Sequence, residues 1–206
     1  MADKKLVAII VRHGDTTLND DGCFRSRLDP PLNENGLEQV KKLAKAIAKA
    51  DYPVERIITS PLLRAAQTAD AISEEISIPV EQDRGLISWN LGFMGGKNKE
   101  VYNDILDYYI DNPKKVIPDG ECLDDLEVRI YEFFKKELKG GLAVYVTHNS
   151  NIVTLDKLID GSKAGRPESS ETSVEPGGAV GVYVDDEGNY STETLFGEEK
   201  QATFGS

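Results

Sequence analysis

The chain contains two histidines, and both stand at the same kind of place. His13 follows the apolar run "KLVAIIV" within "VRHGDT", and His148 follows "LAVYV" within "VYVTHN". A short continuous apolar run reads as a strand buried on both faces, so each imidazole falls at a strand exit. One histidine so placed is usually a satisfied core or surface residue. Two of them, each beside a small or polar neighbour, point to chemistry. Arg12 precedes His13, Gly14 follows it, and "TSPLLR" puts Arg64 just beyond a further β-branched run, "VERII". Guanidinium groups fit poorly beside a metal cation and well against phosphate, which they hold by two parallel hydrogen bonds. The histidines show no HxxxH or HxxE spacing, so no metal is expected. The residue types describe an anion site with an imidazole nucleophile or base.

The elements that must position these groups follow from periodicity. Strands are expected at 4–11, 54–60, near 78–83 and at 142–147. Helices are expected at 33–50, where Leu37, Val40, Leu43, Ala44, Ile47 and Ala48 recur at spacings of three and four. Further helices are expected at 61–76, with Pro61 in the first turn, and at 99–111, 122–140 and 149–160. The glycine-rich stretch 84–98 has no clear period and reads as a loop, 161–178 as a mobile loop, and 178–185 with 190–196 as an edge hairpin. Alternating strands and helices imply an α/β three-layer sandwich, with a mostly parallel central sheet flanked by helices. Such sheets bind ligands outside the carboxyl ends of their strands. That edge would gather Arg12, His13, Arg64 and His148, and the helix from Asn149 would add its N-terminal N–H groups.

Composition sets the outer limits. The 206 residues suit a single domain over 1–206, with 160–206 forming the edge hairpin and a tail. A net charge of −12 argues against a nucleic-acid polymer as partner. No apolar stretch approaches the ~18 residues of a membrane span. Cys23 and Cys122 are far apart in sequence, outside any CxxC, and give no disulfide framework or thiolate metal site. A cytoplasmic location is the expectation.

The motifs also carry a resemblance. "RHGDTTLNDDGCFRSRLDPPLNENG" looks like the opening signature of the histidine phosphatase superfamily, the phosphoglycerate mutase-like enzymes. "SPLLRAAQTA" is similar to that family's second arginine motif, "VYVTHNSNI" to its second histidine motif, and "DGECLDDLEVR" to its Gly-Glu helix start. The match runs in the family's order from residue 5 to about 160. The resemblance implies a phosphoglycerate mutase-like fold and a phosphohistidine mechanism without cofactor. His13 would attack phosphorus, and Arg12, Arg64 and His148 would clamp the phosphoryl oxygens. Asn19 would donate to the same group, and Gly14 would allow close backbone approach and fix the imidazole angle. Homodimers are frequent in that family.

The pattern breaks where the family places a glutamate that protonates the leaving oxygen. The corresponding stretch, "LISWNLGFMGG", has Ser88 there, and serine is no acid near neutral pH. Glu121 and Asp15 are the candidate replacements. Asn149 stands where the family commonly has glycine. Arg25 and Arg27 flank Ser26 in a loop expected over the site, where Arg27 would bind substrate and a second phosphate could be held. Trp89 and Phe93 could meet an organic moiety or anchor their loop. The expected activity is a phosphatase for small phosphorylated metabolites, favouring good leaving groups. A phosphoglycerate mutase-type transfer and a weakly catalytic phosphate-binding module are the alternatives.

Overall fold

The structure, a computed structural model, describes residues 4–161, 173–197 and 199–200. Its centre is a six-stranded sheet in the order β3-β2-β4-β1-β6-β7. Here β1 is Lys5–Arg12, β2 Arg56–Thr59, β3 Val80–Gln82, β4 Ala143–Thr147, β6 Ala179–Val184 and β7 Tyr190–Phe196. The first four run parallel, and β6 and β7 add an antiparallel hairpin beside β1. The expected α/β sandwich with a mostly parallel sheet is therefore the observed fold.

Alternation along the strands divides the core in two. Ile9, Val11, Ile57, Val144 and Val146 face α2 (Glu34–Ala50) and α3 (Leu63–Ile76), through Leu43, Ile47, Ala65, Ala69 and Ile72. Ala8, Ile10, Ile58 and Tyr145 face the other layer, formed with α5 (Leu123–Glu137) and α6 (Asn149–Asp160) through Leu126, Ile130, Phe134 and Ile152. Burial on both faces explains why these strands read as continuous apolar runs. The helix α4 (Lys99–Asp111) adds Leu106 and Ile110 to this second layer. A single-turn helix, α1 (Thr17–Asp20), was too short to leave a periodic signal.

Three expectations change. The buried stripe of α2 begins at Gly36, not Leu37: Gly36 is buried while Leu37 is 41% exposed. A Cβ at Gly36 would lie 2.2 Å from the Asp15 carbonyl oxygen, so α2 abuts the loop after β1 at a point only glycine permits. Hydrophobic periodicity cannot register a glycine as a core position. Pro61 lies outside α3, which starts at Leu63; the first helical N–H instead donates to Asp29 Oδ1 at 2.6 Å. The span 161–178, expected as a mobile loop, falls partly outside the described residues. Its end forms β5 (Ser173–Val174), paired with β8 (Glu199–Lys200) and holding a fully buried Val174. Two short 3-10 turns, 84–86 and 92–94, shape the glycine-rich loop.

Candidate active site

The parallel strands deliver their exits to one edge. Arg12 pairs with Thr147 and Thr59 with Val146 in register. The backbone then stitches the exits together, with His13 N donating to Thr147 O at 3.1 Å and Ser60 N to Val146 O at 2.9 Å. His13 and His148 thereby come to rest with ring centroids 5.1 Å apart. The first turn of α3 places the fully buried Arg64 against both.

Hydrogen bonds fix the protons on both rings. His13 Nδ1 lies 2.7 Å from Gly14 O. A carbonyl only accepts, so Nδ1 carries the proton and Nε2 keeps its lone pair. That lone pair receives Arg64 Nε–H at 3.1 Å. Arg64 Nη2 is 3.3 Å from His148 Nδ1, which must accept, leaving the His148 proton on Nε2 and donated to Ser60 Oγ at 2.8 Å. Burial, then Arg64, His148 and Arg25, holds the His13 pKa well below the usual imidazole value. Burial, then Arg64 and Arg25, does the same for His148. Both rings are neutral at neutral pH, and His13 Nε2 is an unprotonated nucleophile.

The pocket around them is lined by His13, Arg25, Arg64, Ser88, His148 and Asn149, with Phe24, Ser26, Trp89, Leu91 and Ser150. Among the described residues no carboxylate lines it. Burial, followed by the charge of Arg25, pushes Arg64 and Arg12 each down to about 9. Arg25 itself is pushed to about 10 by burial, so all three remain cationic at neutral pH. Lys99 is pushed down to about 8 by burial and then by Arg25 and Arg12. A chain of net charge −12 thus concentrates positive charge at one strand edge.

The other expected residues are placed as follows. Arg12 stands behind the pocket lining, donating from Nη1 to Asn149 Oδ1 at 3.1 Å and Val174 O at 2.8 Å. It holds Asn149, at the start of α6, in place. Asn19 is half-buried and does not line the pocket; its Oδ1 accepts from the backbone N–H and hydroxyl of Thr16 at 3.1 and 2.8 Å. Gly14 is required by packing: a Cβ there would lie 2.7 Å from Gly36 O and 2.9 Å from Val40 Cγ1. Its carbonyl also accepts from His13 Nδ1 at 2.7 Å.

Both candidate acids lie off the pocket lining. Glu121 is clamped by Arg27 Nη2 and Arg129 Nη2, each at 2.9 Å, and also accepts from Asn90 N at 2.9 Å. Asp15 accepts from Gln39 Nε2 at 2.8 Å and Asn35 Nδ2 at 3.0 Å, at the start of α2. Arg27 therefore turns to Glu121 and to Ser88 O, not to the pocket, because a carboxylate on the neighbouring segment outcompetes solvent for it. Arg25 is the inward member of the pair. Trp89 is buried and lines the pocket, whereas Phe93 packs edge-on against Tyr102.

Sequence reasoning missed the groups that hold this arrangement. Ser26 takes a left-handed backbone (φ 50°), its carbonyl accepts from Arg64 Nη2 at 3.0 Å, and its Oγ accepts from Leu91 N at 2.8 Å. Asn151 Nδ2 donates to Leu86 O and Ile87 O at 2.8 and 3.1 Å, fastening the loop that carries Ser88. Ser60 supplies the acceptor for His148. Ser60 carried a hint in its place at the exit of β2, and Ser26 in its place in the loop expected over the site.

Residues 8–177 match the sequence profile of the histidine phosphatase superfamily (branch 1). The chain belongs to this family. Among histidine phosphatase relatives, a 2,3-bisphosphoglycerate-dependent phosphoglycerate mutase of Thermoplasma acidophilum is 30% identical over 148 residues, 71% of this chain and 72% of that protein. A metal-independent phosphoserine phosphatase of Arabidopsis thaliana is 29% identical over 181 residues, 81% of this chain and 74% of that protein. The fold matches the crystal structure of a phosphoglycerate mutase from Bacillus anthracis with a TM-score of 0.76 at 22% identity, over 94% of this chain and 93% of that one. A mycobacterial glucosyl-3-phosphoglycerate phosphatase gives 0.75 at 19% identity, over 96% and 100%.

Proposed function

We propose that this histidine phosphatase superfamily member is a cytoplasmic phosphatase that hydrolyses small phosphorylated metabolites through a phosphohistidine on His13. One observation carries the reading: His13 Nε2 keeps its lone pair, fixed by Gly14 O and faced by Arg64, inside a cationic pocket. In the first step Arg64 Nε–H turns from Nε2 to a phosphoryl oxygen, and the freed Nε2 lone pair forms the bond to phosphorus as the phosphorus–oxygen bond breaks and its electron pair leaves on oxygen. Arg64 N–H and the N-terminal end of α6 stabilise the equatorial oxygens. Water then attacks phosphorus, the N–P bond breaks, the electron pair returns to Nε2, and the water's protons stay on the released phosphate or pass to the departed oxygen. His148, its ring oriented by Ser60 Oγ, adds a second polar wall for the phosphoryl group.

Ser88 in the lining, with no carboxylate beside it among the described residues, supports a preference for leaving groups that need little protonation. The mutases among the relatives support a second reading, phosphoryl transfer between phosphoglycerates. The stretch between β3 and α5 holds only one helix, α4, which favours hydrolysis over retention of an intermediate. An aryl phosphate assay tests the proposal. Release of phenol and phosphate, with an acid-labile phosphoenzyme absent from His13→Ala, is expected. Turnover that survives H13A overturns the nucleophile. Transfer to a phosphoglycerate acceptor, without net phosphate release, favours the mutase.

A further inference from the structure

The feature that the proposed reaction leaves unused is Arg25. Its side chain lines the pocket, the residue is only 8% exposed, and its Nη1 is buried without a hydrogen-bond partner. A buried cation without a paired carboxylate costs several kcal/mol unless a ligand compensates it. The neighbouring guanidinium shows what satisfaction looks like: Arg64 bonds Leu28 O, Ser26 O and both imidazoles. Arg27, two residues on, has its own carboxylate in Glu121. Among the described residues Arg25 Nη1 has no acceptor and Arg25 has no salt-bridge partner, only the charge of Asp15 partly opposing the effect of burial; it is close enough to His13, His148, Arg12 and Arg64 for its charge to lower the pKa of all four.

We propose that Arg25 is the leaving-group subsite, and that the substrate class is an anhydride of phosphoric acid whose leaving oxygen departs as a stable carboxylate or phosphate anion. This inference rests on the proposed phosphohistidine reaction. It follows from the charge inventory of the pocket. An alkoxide leaving group requires a proton at neutral pH, and no carboxylic acid among the described lining residues can deliver one. A carboxylate or phosphate requires no proton but must shed its charge onto a donor, and a guanidinium N–H is a strong donor for an oxyanion. The balance closes without another reactant. The Nε2 lone pair forms the N–P bond, the anhydride P–O pair leaves on the carboxylate or phosphate, and Arg25 holds that anion while keeping its proton. Hydrolysis of the phosphohistidine then consumes one water and returns the lone pair to Nε2.

The test compares wild type, Arg25→Gln and Arg25→Lys on acetyl phosphate, inorganic pyrophosphate, 4-nitrophenyl phosphate and an alkyl phosphate. Wild type is expected to cleave at least one anhydride at least a hundredfold faster than the alkyl phosphate. Loss of an oxyanion donor costs about 10²–10³ in rate, so R25Q is expected to lose about a hundredfold on that anhydride and about tenfold less on the aryl ester. R25K is expected to recover part of the loss. Acetyl phosphate and pyrophosphate separate a carboxylate from a phosphate leaving group. Vanadate, a probe of the phosphoryl clamp, is expected to weaken at least tenfold less than pyrophosphate in R25Q. An equal loss on every substrate, or none, overturns Arg25 as a leaving-group subsite while His13-dependent aryl phosphate turnover still stands. Thermal melting of R25Q guards against misfolding, and its midpoint is expected not to fall, since an unpaired buried charge is removed. Loss of turnover in wild type, or turnover independent of His13, instead refutes the parent reaction.

Discussion

Replacing Glu121 by glutamine separates two roles that one carboxylate could play. As a general acid, Glu121 would protonate a leaving oxygen, and E121Q would spare good leaving groups while slowing alkyl phosphates by about 10²–10⁴. The structure gives it a different set of neighbours. Its side chain is 16% exposed, and it accepts from Arg27, Arg129 and the Asn90 N–H, each at 2.9 Å. Glutamine keeps one accepting oxygen but turns an NH₂ group toward a guanidinium that also only donates. Breaking a buried ion pair from one side costs about 3–5 kcal/mol. Arg27 and Arg129 retain 33% and 20% exposure, so water recovers part of this, leaving about 2–3 kcal/mol. For a chain of this size each kcal/mol lowers the melting midpoint by about 2–4 °C, so a fall of roughly 4–12 °C is expected. Arg27 also bonds Ser88 O, so a modest loss of turnover, alike for aryl and alkyl phosphates, should accompany it. Differential scanning calorimetry and the aryl-to-alkyl rate ratio measure both quantities. An unchanged midpoint with an aryl-to-alkyl ratio raised a hundredfold would refute the structural role and restore Glu121 as the acid.

Ser88→Glu puts an acid into the lining, and the rate on alkyl phosphates should rise by tenfold or more while aryl phosphates change little; no gain would mean that an acid already operates. Gly14→Ala should cost about 1–3 kcal/mol from overpacking against Gly36 and Val40, read as a lower melting midpoint; Gly14 is outside the left-handed region, so strain adds nothing. The histidine pKa values, lowered by burial, predict a pH dependence of stability. The unfolded chain binds protons at both imidazoles below about 6.5 while the fold does not, so stability is full above that pH and falls as pH drops through it. The two sites together contribute at most about 2.7 kcal/mol per pH unit, and H13A/H148A should flatten denaturant midpoints between pH 6.5 and 5.

Much of this was legible in the residues. The two-faced apolar runs ending at His13 and His148 declared a parallel sheet, and a parallel sheet by geometry puts its exits on one edge. Arg64, one position into α3 after β2, followed from the same logic. Illegible were the residues whose role depends on a partner distant in sequence. Arg25 and Arg27 are two positions apart and chemically identical, yet one is buried in the pocket and the other is drawn to Glu121. Gly36 is a core position defined by what it lets approach, a property no hydrophobic pattern encodes.

The sequence by itself determined the sheet, its helical layers and the gathering of imidazole with guanidinium, because strand burial and crossover direction are written in local periodicity. Tertiary structure alone decided which nitrogen of each imidazole is bare, which arginine faces the pocket and which carboxylates are withheld from it. Those outcomes turn on competition among donors and acceptors brought together from distant segments, 94 positions apart for Arg27 and Glu121 and 162 for Arg12 and Val174. Hydrogen-bond geometry and desolvation settle that competition only once the fold has closed.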